Sequence, residues 1–254
     1  MLKFVVGKAL KTMAVKTVFA SGKGGVGKSS VTAGLASALA AKGKKVLTVD
    51  ADIGLRSLDL ILGVNEKMIF NWGDVILGYC EVEDATVTTG TIDLLGAPLE
   101  FDKEFTTENL KKVLDKVENK YDFILIDCPA GIGEGFRLAS SVADNALIIV
   151  TPDEVSVRSG EIAADRLYSQ NIEDIKVIIN RFKERSTVRG RLLNIDDVID
   201  SAKLQLQGIV PEDPDITYSA IKGKPLEKGS AAYSAFARIA ARLCGEKVAL
   251  FKKV

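Results

Sequence analysis

Eight consecutive residues, Gly22-Lys23-Gly24-Gly25-Val26-Gly27-Lys28-Ser29, carry the spacing G-x-x-x-x-G-K-[ST] of a phosphate-binding loop. They lie between an apolar β-branched run, Val15 to Phe19, and an alanine-rich segment, Val31 to Ala41, giving the strand-loop-helix context that the motif requires. Glycines let successive backbone N–H groups turn inward on a β-phosphate, at the start of a helix whose dipole already favours anions. Lys28 then reaches the β- and γ-phosphates, and the Ser29 hydroxyl ligates Mg²⁺, an ion that keeps most of its waters and takes few protein ligands. Gly22 to Ser30 is therefore the expected nucleotide-binding segment, with a plain glycine-rich turn as the alternative. Lys23 is not explained by its own loop, because Lys28 and the backbone amides already cover the phosphates there. It calls for a second anion, or else is a solvated loop lysine, since lysines are mostly exposed.

The arrangement K-G-G-V-G-K-S resembles the deviant Walker A loop of the MinD/ParA family of P-loop ATPases. That resemblance implies a face-to-face homodimer formed on ATP, in which Lys23 crosses to the partner's nucleotide and acts like an arginine finger in trans. It extends over residues 14 to 254. Val46-Leu47-Thr48-Val49-Asp50 reads as a buried parallel strand, and the segment from Asp50 to Asp59 at its C-terminal end is similar to the family's switch I. The second carboxylate of that D-x-D, Asp52, is thereby assigned to orienting the attacking water, with Asp50 as a polar support and an indirect metal contact. Either aspartate could instead be an N-cap or turn residue. The chain has no histidine, so water must be positioned by carboxylate, amide or backbone groups. Tyr121 to Asp127, followed by Cys128-Pro129-Ala130-Gly131, resembles Walker B running into switch II, which makes Asp127 a metal ligand through a water. By the same resemblance Asn180, after the strand 175–179, hydrogen-bonds the adenine edge, and Pro211 and Asp213 belong to a base-enclosing loop. All three are also turn formers. Asn180-Arg181-Phe182-Lys183 lacks the N-K-x-D pattern expected of a GTPase.

At 254 residues the chain is long enough for one continuous core. Strands are predicted near 15–21, 45–50, 91–96, 122–127, 145–151, 174–180 and 206–210, with helices near 28–42, 106–119, 134–142, 155–169, 194–202 and 229–244. This alternation predicts an α/β fold with a predominantly parallel, twisted sheet covered by helices on both faces. The organisation expected is an N-terminal extension over 1–13, disordered or an over-extended start, then an ATPase domain over 14–245 and a tail over 246–254. With 34 basic and 34 acidic residues there is no global basic field, so nucleic acid is not an expected partner. Cys80, Cys128 and Cys244 lack metal-ligand spacing and suit a reducing cytoplasm.

In the tail, Val248, Leu250 and Phe251 fall on one side of a helical projection, with Lys252 and Lys253 opposite, as an interfacial helix wants. Lys247 sits within the apolar arc and would have to snorkel. The tail is therefore a candidate contact with an anionic membrane, weak for one copy and stronger for two on a dimer; a frayed helix end is the other reading. The resemblance, with these features, implies a Mg²⁺-dependent ATPase switch for placing the division site. It would be cytoplasmic and peripheral on the inner face of the cell membrane, recruit a MinC-like septum inhibitor, and answer to a MinE-like or other regulator. A ParA-like DNA-segregation or flagellar-number ATPase, or a scaffold that barely hydrolyses, are the alternatives.

Overall fold

The computed structural model describes residues 13–188, 190 and 192–250. Eight strands form one sheet: β1 (Val15–Ala20), β2 (Val46–Asp50), β3 (Thr86–Thr89), β4 (Ile92–Leu95), β5 (Phe123–Asp127), β6 (Asn145–Val150), β7 (Ile175–Phe182) and β8 (Gln205–Pro211). Their order across the sheet is β3-β4-β2-β5-β1-β6-β7-β8. Every pairing is parallel except β3 with β4. The long helices are α1 (Lys28–Ala41), α5 (Thr107–Asp115), α6 (Glu134–Ser140), α7 (Glu154–Tyr168), α9 (Ile195–Ala202), α10 (Pro214–Lys222) and α11 (Ala231–Leu243). Short ones, α2 (Leu58–Ile61), α3 (Trp72–Ile76), α4 (Val82–Ala85) and α8 (Glu184–Val188), sit in the connections.

The strands read as continuous apolar runs because both faces are buried. Alternate residues serve opposite layers, as the two-residue period of a strand requires. On β5, Ile124 and Ile126 enter the layer that also holds Val157 and Ala163 of α7, while Phe123 and Leu125 join Leu35 and Leu39 of α1 and Phe236 of α11. In α1 the small residues Ala33, Gly34, Ser37 and Ala38 let neighbouring elements come close; a Cβ on Gly34 would overlap the Phe236 ring. Trp72 is fully buried, stacks edge-to-face on Phe105 at 4.9 Å, and donates its indole N–H to the Asp50 carbonyl at 2.8 Å. That bond fixes the end of β2, where the acidic loop begins.

Two differences from the sequence expectation have clear causes. The hairpin strand β3, Thr86–Thr89, is short, threonine-rich and antiparallel at the sheet edge, so it lacks the apolar run that marks the other strands. Helix α10 has no fully buried residue and so no strong apolar face to read.

The tail departs from the expected amphipathic helix within its described part. Residues 246–250 are not helical. Glu246 pairs with Lys42 at 2.7 Å, and Arg242 donates to the carbonyls of Val248 (3.2 Å) and Leu206 (3.4 Å), so the chain runs along the β8 edge. Leu250 packs against the core layer. Its apolar side chain is partly covered by the body of the protein, which competes with the membrane role assigned to Val248 and Leu250. Phe251 and the extension over 1–12 lie outside the described residues.

Leu125 is fully buried at the centre of the sheet. Leu125→Ala is expected to lower unfolding free energy by about 2–5 kcal/mol, the cost of lost burial plus the cavity left behind, read as a shift in urea midpoint.

Candidate nucleotide site

The functional side chains gather at the C-terminal ends of β1, β2, β5 and β7, where open α/β sheets place their ligands. Gly27 caps α1 in the left-handed region, φ 88°. A Cβ there would also run into the Asn180 amide, and a Cβ on Gly22 would overlap the Ser159 carbonyl of α7. Two glycines of the motif are thus needed for close approach as well as for turning amides inward. The contact of Gly22 with α7 is non-local, and nothing in the linear spacing announces it.

Lys28 is almost fully buried, with Nζ 2.8 Å from Asp127 Oδ1. Burial alone would lower its pKa, but the charge and hydrogen bond of Asp127 outweigh burial and raise it. Thr32, one turn further along α1, reaches the same oxygen at 3.4 Å. Asp127 Oδ2 is buried and has no partner among the described residues. A buried carboxylate oxygen without a donor is costly unless a cation or a metal-bound water meets it, so the donor set fits Mg²⁺. Ser29 stands nearby and accepts a 3.0 Å hydrogen bond from the Ser57 hydroxyl. Ser57, in the acidic loop, is a contact that the sequence reading passed over.

Asp50 is a loop anchor. Its Oδ1 accepts from the Asp52 N–H (2.9 Å), and its Oδ2 accepts from the N–H groups of Ser57 (3.0 Å) and Leu58 (3.1 Å). Three of about four lone-pair sites are taken by backbone, leaving little for the indirect metal contact expected of it. Burial, helped by the charge of Asp127, pushes its pKa up to about 6. Asp52 is half-buried, and its carboxylate makes no hydrogen bond among the described residues. Burial raises its pKa too; the ammonium of Lys28 works in the opposite direction.

Asn180 is 3% exposed and donates through Nδ2 to the Val26 carbonyl at 2.7 Å. Its Oδ1 is buried without a partner, an acceptor suited to an exocyclic amine. Asp213, expected in the base-enclosing loop, is the N-cap of α10, with Oδ1 accepting from the Asp215 N–H (3.0 Å) and Oδ2 from the Ala232 N–H (2.9 Å). Both of its oxygens tie the fold together here. Its neighbour Glu212 lines a cavity of about 340 Å³ against the loop, together with Lys23, Arg181 and Lys183, and Pro211 ends β8 just before it. Lys23 is 44% exposed, and its ammonium lies 3.6 Å from Asp153 Oδ1 at the N-cap of α7 rather than on its own loop. Cys128 is buried in the segment after β5, and burial pushes its thiol well above the usual range, leaving it inert.

A family model described as an AAA domain matches residues 14–181. The septum site-determining protein MinD of Synechocystis is 38% identical over 238 residues, covering 91% of this chain and 90% of that protein. The Bacillus subtilis protein of the same name is 35% identical over 245 residues, 92% of this chain and 90% of its own. Among solved structures, the MinC:MinD cell division protein complex of Aquifex aeolicus superposes with a TM-score of 0.87 at 39% identity, covering 94% of this chain and 99% of that chain. MinD from Pyrococcus horikoshii complexed with Mg-ADP gives 0.82 at 30%, with 91% and 96% covered. A ParA family ATPase from Chlorobium tepidum, at 22% identity and a TM-score of 0.77, shares the fold.

Asp213→Ala is expected to cost about 1–2 kcal/mol of stability, as loss of an N-cap does, while nucleotide affinity measured by equilibrium titration stays within about twofold of the parent. For Asp50 the folded-state pKa lies above the ordinary 3.8. Its contribution to stability is therefore full below about 3.8 and is lost as pH rises through about 6. The nucleotide-free protein should lose on the order of 1 kcal/mol from this group between pH 5 and pH 7.5. Urea titrations of Asp50→Asn should show that slope flattened, whatever the variant's own stability.

Proposed function

The chain belongs to the MinD family of cell-division site-determining ATPases, and from that premise we propose that it is a Mg²⁺-dependent ATP switch that closes as a homodimer and recruits a septum inhibitor to an anionic membrane surface. One observation carries the reading: Lys23 stands exposed at the rim of its own phosphate loop, held among the described residues only by a long contact to Asp153. Lys28 already occupies the interior position beside Asp127. Lys23 is thereby free to reach a nucleotide across a dimer face, where its charge would stabilise negative charge developing on the transferred phosphoryl group.

The N–H groups of Gly24 to Ser29 would cradle the phosphates, and Ser29 Oγ with Asp127 Oδ2 would hold Mg²⁺ through few direct bonds. The ion neutralises charge on the phosphate oxygens. Lys28 would exchange part of its contact with Asp127 for a phosphate oxygen. The Asp52 carboxylate, unpartnered and with its pKa raised by burial, would accept a hydrogen bond from the attacking water and orient it in line. Asn180 Oδ1 would accept from the adenine amine while Nδ2 keeps hold of the Val26 carbonyl.

The related Aquifex structure is a complex of MinC with MinD, which supports a MinC-like partner here. A MinE-like or other regulator would act on the closed dimer. No helix among the described residues is long and apolar enough to cross a membrane, so attachment would be peripheral and use residues of the tail. The balanced charge of the chain gives no support to the DNA-binding alternative.

Turnover should rise faster than linearly with protein concentration, because the active species is the dimer. Lys23→Ala is expected to lower kcat at least about a hundredfold, the scale of a lost trans-acting cation, while nucleotide binding to the monomer changes little. Unchanged turnover in that variant, or turnover independent of concentration, would sink the dimer mechanism. Co-sedimentation with anionic vesicles in ATP but not in ADP tests the membrane step.

A further inference from the structure

A cavity of about 580 Å³ lies against α1 and reaches Ser30 at the end of the phosphate-binding segment. Its walls are mainly apolar and include Ala38 of α1, Leu62 after α2, Ile216 of α10, Leu226 in the connection after α10, and Phe236 of α11. The space exists because α1 presents small residues here while Gly63 and Gly223 touch backbone to backbone, a Cβ on either overlapping the other. That contact holds the ends of α2 and α10 together and closes one wall. Lys67, Lys224 and Lys228 stand around the opening, all exposed, and none forms an ion pair among the described residues.

A half-open, mainly apolar cleft of this size fits a small molecule, and polar groups at its edge set orientation. Cations at the mouth favour one anionic head left near water, with the body inside. The walls also lead to the nucleotide site. Helix α1 begins at Lys28, Leu62 follows the Asp52–Ser57 loop, and α10 begins beside Glu212.

We propose that this cavity is a second ligand site, taking an anionic amphiphile with an aliphatic body of roughly ten carbons and a phosphate or carboxylate head, and that its occupancy is linked to nucleotide affinity. Linkage requires the effect to be reciprocal.

Decyl phosphate, kept monomeric, is the probe, titrated calorimetrically into the full chain with decanol as the uncharged control. One equivalent should bind, and decanol should bind more weakly. Ser37→Phe, which fills the cavity from a half-exposed position on α1, should weaken decyl phosphate about tenfold or more. Lys224→Glu with Lys228→Glu, both on the surface and harmless to the core, should weaken decyl phosphate similarly and leave decanol unchanged. Undiminished binding in both variants, or binding lost in Lys28→Ala instead, would overturn the site by placing the probe in the phosphate loop. Vesicles of phosphatidylcholine with phosphatidic acid separate the sources. Loss of vesicle binding in the rim variant assigns the head to a bilayer lipid, and monomer binding alone assigns it to a soluble amphiphile. Bound decyl phosphate should shift MgADP affinity at least about twofold, and an unchanged affinity overturns the linkage. If MgADP fails to bind at all, the nucleotide reading falls while the cavity titration still stands.

Discussion

Lys28 and Asp127 meet at 2.8 Å with 7% and 0% of their side chains exposed, so each is the other's counter-charge and both are largely withdrawn from solvent. Taking two ions out of water costs several kcal/mol apiece, and their attraction offsets this only with good geometry and further hydrogen bonds. Here Oδ1 of Asp127 receives Lys28 and Thr32, whereas Oδ2 receives no donor among the described residues. Phosphate and a divalent cation would supply the missing halves together, an anion for the ammonium and a cation for the carboxylate. Removing either residue alone would leave the other buried and uncompensated, which is why the two strands that carry them, β1 through its loop and β5, must stay in register from Val15 with Phe123 to Phe19 with Asp127.

The acidic loop depends on the same neighbourhood. Asp50 pairs with Asp127 in register across β2 and β5, so two carboxylates share one buried rim. Their proximity helps lift the Asp50 pKa to about 6 after burial has done most of it. Asp50 stays in place because three N–H groups of its own loop converge on it and Trp72 holds its carbonyl. The loop conformation and the charge state of Asp50 are consequently one variable. Ser57, held by Asp50, touches Ser29 in turn, so a change at the phosphate loop reaches the acidic loop through two hydrogen bonds.

The parallel sheet and the phosphate loop were legible because they rest on local signals: apolar runs five or six residues long, and a glycine spacing with one mechanical use. The placement of Asp50 and Asp127 side by side at the ends of β2 and β5 was legible because each closes an apolar strand, while the roles expected of them and of Asp52 came from the family resemblance. What escaped was non-local. The closeness of Gly22 to Ser159 and of Gly27 to Asn180 depends on how α7 and β7 pack, not on the order of residues. Asp213 and Glu212 are adjacent acids with opposite fates, one turned into α10 as its cap and one facing the loop cavity, and only the direction of the chain after β8 distinguishes them. The tail's projection was amphipathic, yet Leu250 finds an apolar partner on its own protein before any membrane is considered.

Magnitudes decide where the switch stores its free energy. The contact between Lys23 and Asp153 is 3.6 Å long and more than a third exposed on both sides, and pairs of that kind are worth about 0–1 kcal/mol. It can park the lysine but cannot restrain it against a nucleotide triphosphate. Asp153 keeps its charge without Lys23: burial works against it, but the Thr151 hydroxyl and the Ser156 N–H hold its carboxyl below the usual range, with the lysine contributing less. The N-cap of α7 therefore survives departure of the lysine, and α7 does not have to rearrange for Lys23 to leave. In the proposed dimer the barrier to closure would lie instead in the buried Lys28–Asp127 pair and the loop anchored on Asp50, which would have to accommodate phosphate and metal before a second copy offered anything for Lys23 to reach.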